Sequence, residues 1–116
     1  MVDNLKPMQT EVEDTLSFEQ FEGTLTGVSP TSITPASGKV VRYFMLQMPD
    51  IGPNQNPINR YIRYSVNGGV KFSTMKRGEA IALEGYLPSN TLILKGDGGA
   101  GTLYYELVFG LDTEET

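Results

Sequence analysis

Residues 96–109 read GDGGAGTLYYELVF, and this stretch decides the fold class. Its glycine-rich start satisfies the pattern G-x-G-x-x-G, which binds dinucleotides when it follows a strand and opens a helix. Here the pattern leads instead into residues 102–111, whose aromatic and β-branched side chains are typical of a strand. The glycines therefore predict a flexible hairpin tip between two strands, and a dinucleotide-binding α/β domain is excluded.

The rest of the sequence from residue 18 consists of similar short apolar runs separated by clusters of Gly, Pro, Asn and Ser. This pattern is typical of a small β-barrel or sandwich. The predicted strands are residues 18–28, 40–48, 60–66, 79–87, 91–95 and 102–111. The last two are expected to form a long hairpin.

The connecting segments are predicted from turn-forming residues and from a capping pattern. Residues 70–77 carry a cap at Ser73 or Thr74 and stop at Gly78, so they are the only predicted helix, of about two turns at most. Residues 29–38 and 49–59 are predicted loops, the second with no core residues beyond Ile51 and Ile58.

Composition excludes most kinds of chemistry. The chain of 116 residues contains no cysteine and no histidine, so it has no disulfide, no thiolate nucleophile and no imidazole ligand or base. The carboxylates lack metal-ligand spacing, which leaves a carboxylate-dependent nuclease as a remote alternative. We expect no enzyme activity, no catalytic residue, no metal and no cofactor. No apolar run approaches the roughly 20 residues of a membrane span, so we expect a cytoplasmic protein without a membrane partner.

Charge is strongly segregated along the chain. Residues 39–95 carry a net charge of +5, whereas each flank carries −5 and the whole chain −5. All three Arg-Tyr pairs of the sequence, at residues 42–43, 60–61 and 63–64, lie in this basic stretch. Arginines interleaved with aromatic rings can hold phosphates while unpaired bases stack on the rings. The sequence therefore predicts a surface for single-stranded DNA, with RNA as the alternative ligand.

Strand alternation narrows the candidate residues. In residues 60–66 it places Tyr61 and Arg63 on one face and Tyr64 on the other, towards the core. Arg42 and Tyr43 point to opposite faces of a regular strand, so one of them is structural. The predicted phosphate-binding residues are Arg42, Arg60, Arg63, Lys71 and Lys95, and the predicted stacking residues are Tyr61, Tyr43 and Phe72. The competing interpretation is an amphipathic strand whose arginines only solvate its outer face.

Three segments carry a resemblance to a known family. Residues 75–87 read MKRGEAIALEGYL, residues 21–26 read FEGTLT, and residues 37–39 read SGK ahead of FML at residues 44–46. This pattern resembles the bacterial and phage single-stranded-DNA-binding proteins. The resemblance implies an all-β OB-fold, a five-stranded barrel with a long last hairpin and at most one short helix. It also implies DNA protection in replication or recombination, in a phage or its host, and allows a homo-oligomer (dimer or tetramer).

The predicted domain organisation has one globular unit. Residues 1–17 are polar and acidic and are predicted to form a mobile extension, residues 18–111 the OB-fold domain, and residues 112–116 a short acidic tail. The alternative function is an assembly or adaptor module of the same fold that binds protein and no nucleic acid.

Overall fold

The computed structural model describes residues 16–112 and shows an all-β protein with one short 3₁₀ turn. The strands are β1 (Leu16–Thr26), β2 (Thr31–Ile33), β3 (Val41–Gln47), β4 (Tyr61–Ser65), β5 (Ser73–Lys76), β6 (Ala80–Glu84), β7 (Leu92–Gly96) and β8 (Thr102–Asp112). The 3₁₀ turn is Pro88–Asn90. The all-β class predicted from the sequence is confirmed.

The strands form two four-stranded antiparallel sheets. Sheet I has the order β1-β8-β3-β6 and sheet II the order β2-β7-β4-β5. Successive strands alternate between the sheets, except that β4 and β5 are neighbours in sheet II. This is the strand order of a jelly roll, in which two Greek keys build a double sheet. The predicted five-stranded barrel is therefore wrong.

The predicted last hairpin is also wrong. Strand β8 is hydrogen-bonded to β1 on one edge and β3 on the other, while β7 lies between β2 and β4. Because both edges of each strand are already paired, β7 and β8 cannot pair with each other. The glycine-rich connection crosses from one sheet to the other. Gly96 is required where the sheets meet, because a Cβ at this position would lie 2.5 Å from the carbonyl oxygen of Gly27.

Two short strands lie where the sequence predicts other structure. Strand β2 lies within the predicted loop 29–38. Strand β5 replaces the predicted helix 70–77 and pairs with β4, with Met75 buried opposite Ile62. Gly78 has a φ of 86° and serves the turn from β5 to β6 instead of a helix end. Tertiary pairing here overrides the local capping pattern.

The core lies between the two sheets. Strand β8 contributes most to it, with five inward-facing side chains at alternate positions: Leu103, Tyr105, Leu107, Phe109 and Leu111. Phe21 of β1 packs edge-on against Phe109, with ring centroids 5.3 Å apart. From sheet II, Ile62, Met75, Leu92 and Leu94 are fully buried. This back-to-back packing leaves the outer faces of sheets I and II pointing in opposite directions.

Strand pairing extends slightly beyond residues 18–111 at both ends. Leu16 and Ser17 pair with β8 and so belong to the first strand, and Asp112 belongs to the last. The remainder of the predicted extension and of the predicted tail lies outside the described residues.

Candidate nucleic-acid interface

The outer face of sheet II gathers basic and aromatic side chains. In the ladder, Arg63 of β4 lies opposite Lys95 of β7 and opposite Thr74 of β5. Tyr61 lies opposite Lys76. The four strands of this sheet contain no acidic residue. We call Tyr61, Arg63, Lys76 and Lys95 the basic face.

Among the cations of the basic face, Arg63 has the least favourable charge and hydrogen-bond environment. It lies directly across the ladder from Lys95, and like charges in this position destabilise a sheet. Its Nε is buried, and no group among residues 16–112 accepts a hydrogen bond from it. An anion bound on this face beside Arg63 and Lys95 would relieve the repulsion between their charges.

Lys95 and Phe72 contact each other at the rim of the basic face. The Lys95 Nζ lies 4.1 Å from the centroid of the Phe72 ring, a cation–π contact. One face of the ring is therefore covered, and Phe72 positions Lys95 more directly than it offers a platform for a base. The exposed Lys71 precedes Phe72 in the β4–β5 connection.

A small hydrogen-bond network fixes that connection. The hydroxyl of the buried Ser65 donates to Asn67 Oδ1 at 2.9 Å and accepts from the Gly69 N–H at 2.9 Å. Asn67 Oδ1 also accepts from the Lys71 N–H at 3.0 Å. The backbone that carries Lys71 and Phe72 is thus held by side chains of the preceding turn.

Arg60 is paired with other groups and does not belong to the basic face, although the sequence predicts that it binds phosphate. Its Nε donates to both carboxylate oxygens of Asp97, at 2.9 and 3.0 Å, and its Nη1 donates to the Ala100 carbonyl. The Arg60 side chain is only 14% exposed. Hydrogen bonds from Arg60 and from the Gly99 and Tyr61 N–H groups lower the pKa of Asp97 to about 2. The pair ties the β7–β8 connection to the start of β4.

Arg42 and Tyr43 lie on β3 in sheet I, away from the basic face. The ladder with β8 shifts register between Val41 and Tyr43, so a bulge at Arg42 interrupts the regular alternation. Arg42 forms an ion pair with Asp112 at 3.4 Å. Tyr43 lies against Gly110, where a Cβ would approach its ring to 3.1 Å. The structure brings together Tyr61, Arg63 and Lys95, with Phe72 and Lys71 beside them, and separates Arg42, Tyr43 and Arg60 from that group.

Lys76 is a member of the basic face that the site prediction lacks. The pattern of residues 73–76 would have shown it, because Thr74 and Lys76 alternate with the buried Met75. Assigning this segment to a helix hid the alternation.

The outer face of sheet I has the opposite charge. Glu22 of β1 lies opposite Glu106 of β8, and Glu106 lies opposite Gln47 of β3. These residues line a shallow depression of about 570 Å³ together with Met45 and Val108. Within residues 16–112, no three or more His, Cys, Asp or Glu side chains form a cluster that could hold a metal ion. An anionic ligand is disfavoured on this face by the two carboxylates.

The described part of the chain forms no helix with the length and apolarity that crossing a membrane requires.

Comparison with known proteins does not place the chain in a family. The sequence matches no protein-family model and no curated protein. Similar solved structures include three with low sequence identity. A protein of the disulfide-linked pili of Bacillus endospore appendages is 12% identical, with a TM-score of 0.49, and the match covers 86% of this chain and 90% of that one. The Yersinia pseudotuberculosis-derived mitogen is 16% identical, with a TM-score of 0.47 and the same coverage. A designed double-stranded β-helix is 13% identical, with a TM-score of 0.41, covering 79% and 97%.

The resemblance to single-stranded-DNA-binding proteins is therefore wrong. No family model matches the chain, and its two four-stranded sheets differ from the five-stranded barrel that the resemblance implies. The motifs that carried the resemblance are a glycine turn and the strands beside it. Any fold with a tight turn before an apolar strand can contain such motifs.

Proposed function

We propose that the basic face binds single-stranded nucleic acid, DNA in the first instance, without sequence preference, and so protects it. The observation that carries this proposal is the position of Arg63, which lies directly opposite Lys95 on a sheet whose four strands contain no acidic residue. A phosphate group beside the two cations supplies the negative charge that this position lacks.

The remaining cations are close enough to act together with Arg63. Lys76 on β5 and Lys95 on β7 flank β4, so their strands lie about 10 Å apart at the usual strand spacing. That distance is about one Debye length at physiological ionic strength, so the electrostatic potentials of the cations overlap along the sheet. A strand of nucleic acid crossing the sheet would meet them in succession.

Tyr61 supplies the stacking surface. Its side chain is exposed on the basic face, and its backbone N–H donates to Asp97 Oδ2 at 2.8 Å. This hydrogen bond holds the backbone of the residue, which reduces the entropy lost when a base stacks on the ring. Stacking on an aromatic ring tolerates every base, which is consistent with binding that lacks sequence preference.

Titration of a labelled oligothymidylate at two salt concentrations tests the proposal. Contacts from Arg63, Lys76 and Lys95 predict that log K falls by about 2 per log unit of salt, at about 0.7 for each phosphate of a single strand. A duplex of equal length should bind more weakly, because its bases are not free to stack on Tyr61. Absence of binding at low salt would overturn the proposal and favour a protein-binding module.

The Arg63→Ala variant should weaken oligonucleotide binding about tenfold, a loss of about 1.4 kcal/mol. Its salt slope should fall by about 0.7, since one phosphate contact is lost. Fluorescence anisotropy at several salt concentrations measures both quantities. Arg42→Ala is the matched control, because Arg42 lies on sheet I and pairs with Asp112. An equal loss of affinity in the two variants would show that the contact is general attraction and not the basic face.

A further inference from the structure

Strand β6 leaves one edge of sheet I open. It pairs only with β3, and its outer side has no strand partner among the described residues. Its sequence is AIALE, with no proline, no lysine and no bulge, and Leu83 is 42% exposed. Exposed edges normally carry such features because unpaired backbone groups invite another strand.

The other three edge strands are protected. On β5, the N–H of Lys76 donates to Glu79 Oε1 at 2.7 Å, and this carboxylate occupies the position that a new strand would take. On β1, the Glu19 carboxylate accepts from the Ala36 and Ser37 N–H groups at 2.9 and 3.1 Å, which holds the β2–β3 connection against that strand. Strand β2 has only three residues. Strand β6 has no such contact among the described residues and is longer than β2, so its edge stays open.

Hydrogen bonds at the two ends of β6 show which backbone groups face outward. The Gly85 N–H donates to the Arg42 carbonyl at 2.9 Å, and the Met48 N–H donates to the Glu79 carbonyl at 3.1 Å. Residues 79 and 85 thus belong to hydrogen-bonded pairs with β3. Because these pairs alternate along an antiparallel ladder, Ala80, Ala82 and Glu84 direct their N–H and C=O groups to the open edge.

We propose that β6 pairs in antiparallel fashion with β6 of a second copy of this chain, about a two-fold axis at Ala82. In this register the two-fold axis passes through Ala82, the middle one of the three residues whose backbone groups face outward. Ala82 then opposes its own counterpart, and Ala80 opposes Glu84 of the partner subunit. Each of these pairs exchanges both of its hydrogen bonds, so every outward backbone group of the strand is satisfied. The two copies of sheet I become one continuous sheet.

The side chains fit the same register. Ile81 and Leu83 point to the core side of sheet I, opposite Leu46 and Phe44 of β3. Across the axis, Ile81 would oppose Leu83 of the partner subunit in a non-hydrogen-bonded pair, where side chains approach most closely. The exposed surface of Leu83 is then covered. Glu84 opposes an alanine, so no like charges meet and the pairing suits a second copy.

Disulfide trapping tests the register, because the chain has no cysteine of its own. The Ala82→Cys variant should form a disulfide-linked dimer under mild oxidation, since the two Cα atoms of a hydrogen-bonded pair lie about 5.5 Å apart. Ala80→Cys is the matched control on the same edge and face. Its two copies would lie about 14 Å apart, at about 3.4 Å per residue, so no disulfide should link them. The double variant with Ala80→Cys and Glu84→Cys should be trapped again.

A mutation of the edge tests the assembly without cross-linking. Light scattering on a sizing column should give twice the chain mass of 12.7 kDa for the wild type and the single mass for Leu83→Lys. A single cooperative urea transition of the Leu83→Lys monomer would show that its fold is intact. A wild type that stays monomeric at high concentration, or equal trapping of Ala80→Cys and Ala82→Cys, would overturn the proposal. These measurements need no oligonucleotide, so their failure leaves the proposed function untouched.

Discussion

The Asn56→Ala variant should lose about 3 kcal/mol of its free energy of unfolding, the largest effect that we expect from one substitution outside the hydrophobic core. Asn56 is 1% exposed although it lies in a surface connection rich in proline. Its Nδ2 donates to the carbonyls of Pro49 and Tyr104 at 2.9 and 3.0 Å, and its Oδ1 accepts from the Tyr104 N–H at 2.7 Å.

The Asn56 amide takes the place of a strand residue beside β8. The pairing of β3 with β8 ends at Gln47 opposite Glu106, so Tyr104 lies beyond the last strand pair on that edge. The amide satisfies both backbone groups of Tyr104 there. Alanine would leave the Tyr104 N–H and carbonyl without partners, at about 1–3 kcal/mol for each group that water cannot reach. The Pro49 carbonyl would keep its hydrogen bond from the backbone N–H of residue 56, at 3.1 Å.

Urea unfolding at neutral pH measures the loss. Gln55→Ala is the matched control, because that exposed amide makes one side-chain hydrogen bond, to the Asp50 carbonyl, and should cost less than about 1 kcal/mol. Asn56→Asp should be at least as harmful as alanine at neutral pH, because a carboxylate cannot donate to the two carbonyls and is repelled by them. A loss below about 1 kcal/mol for Asn56→Ala would show that water replaces the amide.

The same residue shows where prediction from the sequence stops. Hydrophobicity pointed to Ile51 and Ile58 as the buried residues of the connection, and both are exposed, whereas the polar Asn56 is buried. The decisive requirement is the unpaired backbone of Tyr104, which lies 48 residues away along the chain. A pattern within one segment contains no information about such a need.

The alternation of apolar and polar residues predicted side-chain orientation correctly where a strand is long and half-buried. It placed Ile62 inward and Tyr61 with Arg63 outward on β4, as the structure shows. It did not show that β7 and β8 belong to different sheets, because a period of two identifies a strand but not its partner. The short strands β2 and β5 were missed for a related reason, since three or four residues contain too little periodicity to outweigh nearby prolines or a capping pattern.

The sequence shows that the charges are segregated along the chain. It does not show which charged groups lie beside each cation of the candidate site. Arg60 and Arg63 are three positions apart in one arginine-rich run. Arg60 is neutralised by Asp97, and Arg63 faces Lys95. The difference depends on the glycine-rich connection that brings Asp97 beside the start of β4. Composition alone counts the two arginines as equivalent.

The Asp97→Asn variant should be about 2 kcal/mol less stable than the wild type at pH 7. The pKa of the folded Asp97 carboxyl is about 2, compared with an ordinary value of 3.8, first because of the hydrogen bonds from Arg60. The Asp97 side chain is only 16% exposed, so water screens this pair weakly. Asparagine keeps the shape of the side chain but removes the charge and turns one acceptor into a donor that faces other donors.

This contribution must depend on pH in a defined direction. Because folding lowers the pKa, the charged carboxylate stabilises the folded state above about pH 4, and the benefit disappears as pH falls through about 2. Denaturant unfolding of wild type and Asp97→Asn from pH 7 down to pH 2 should therefore show a difference that shrinks with acid. Asp112→Asn is the control, because Asp112 meets the exposed Arg42 at 3.4 Å and such a pair contributes less than about 1 kcal/mol. A difference for Asp97→Asn that stays constant down to pH 2 would mean that the shape of the hydrogen-bond network, and not its charge, ties the β7–β8 connection to β4.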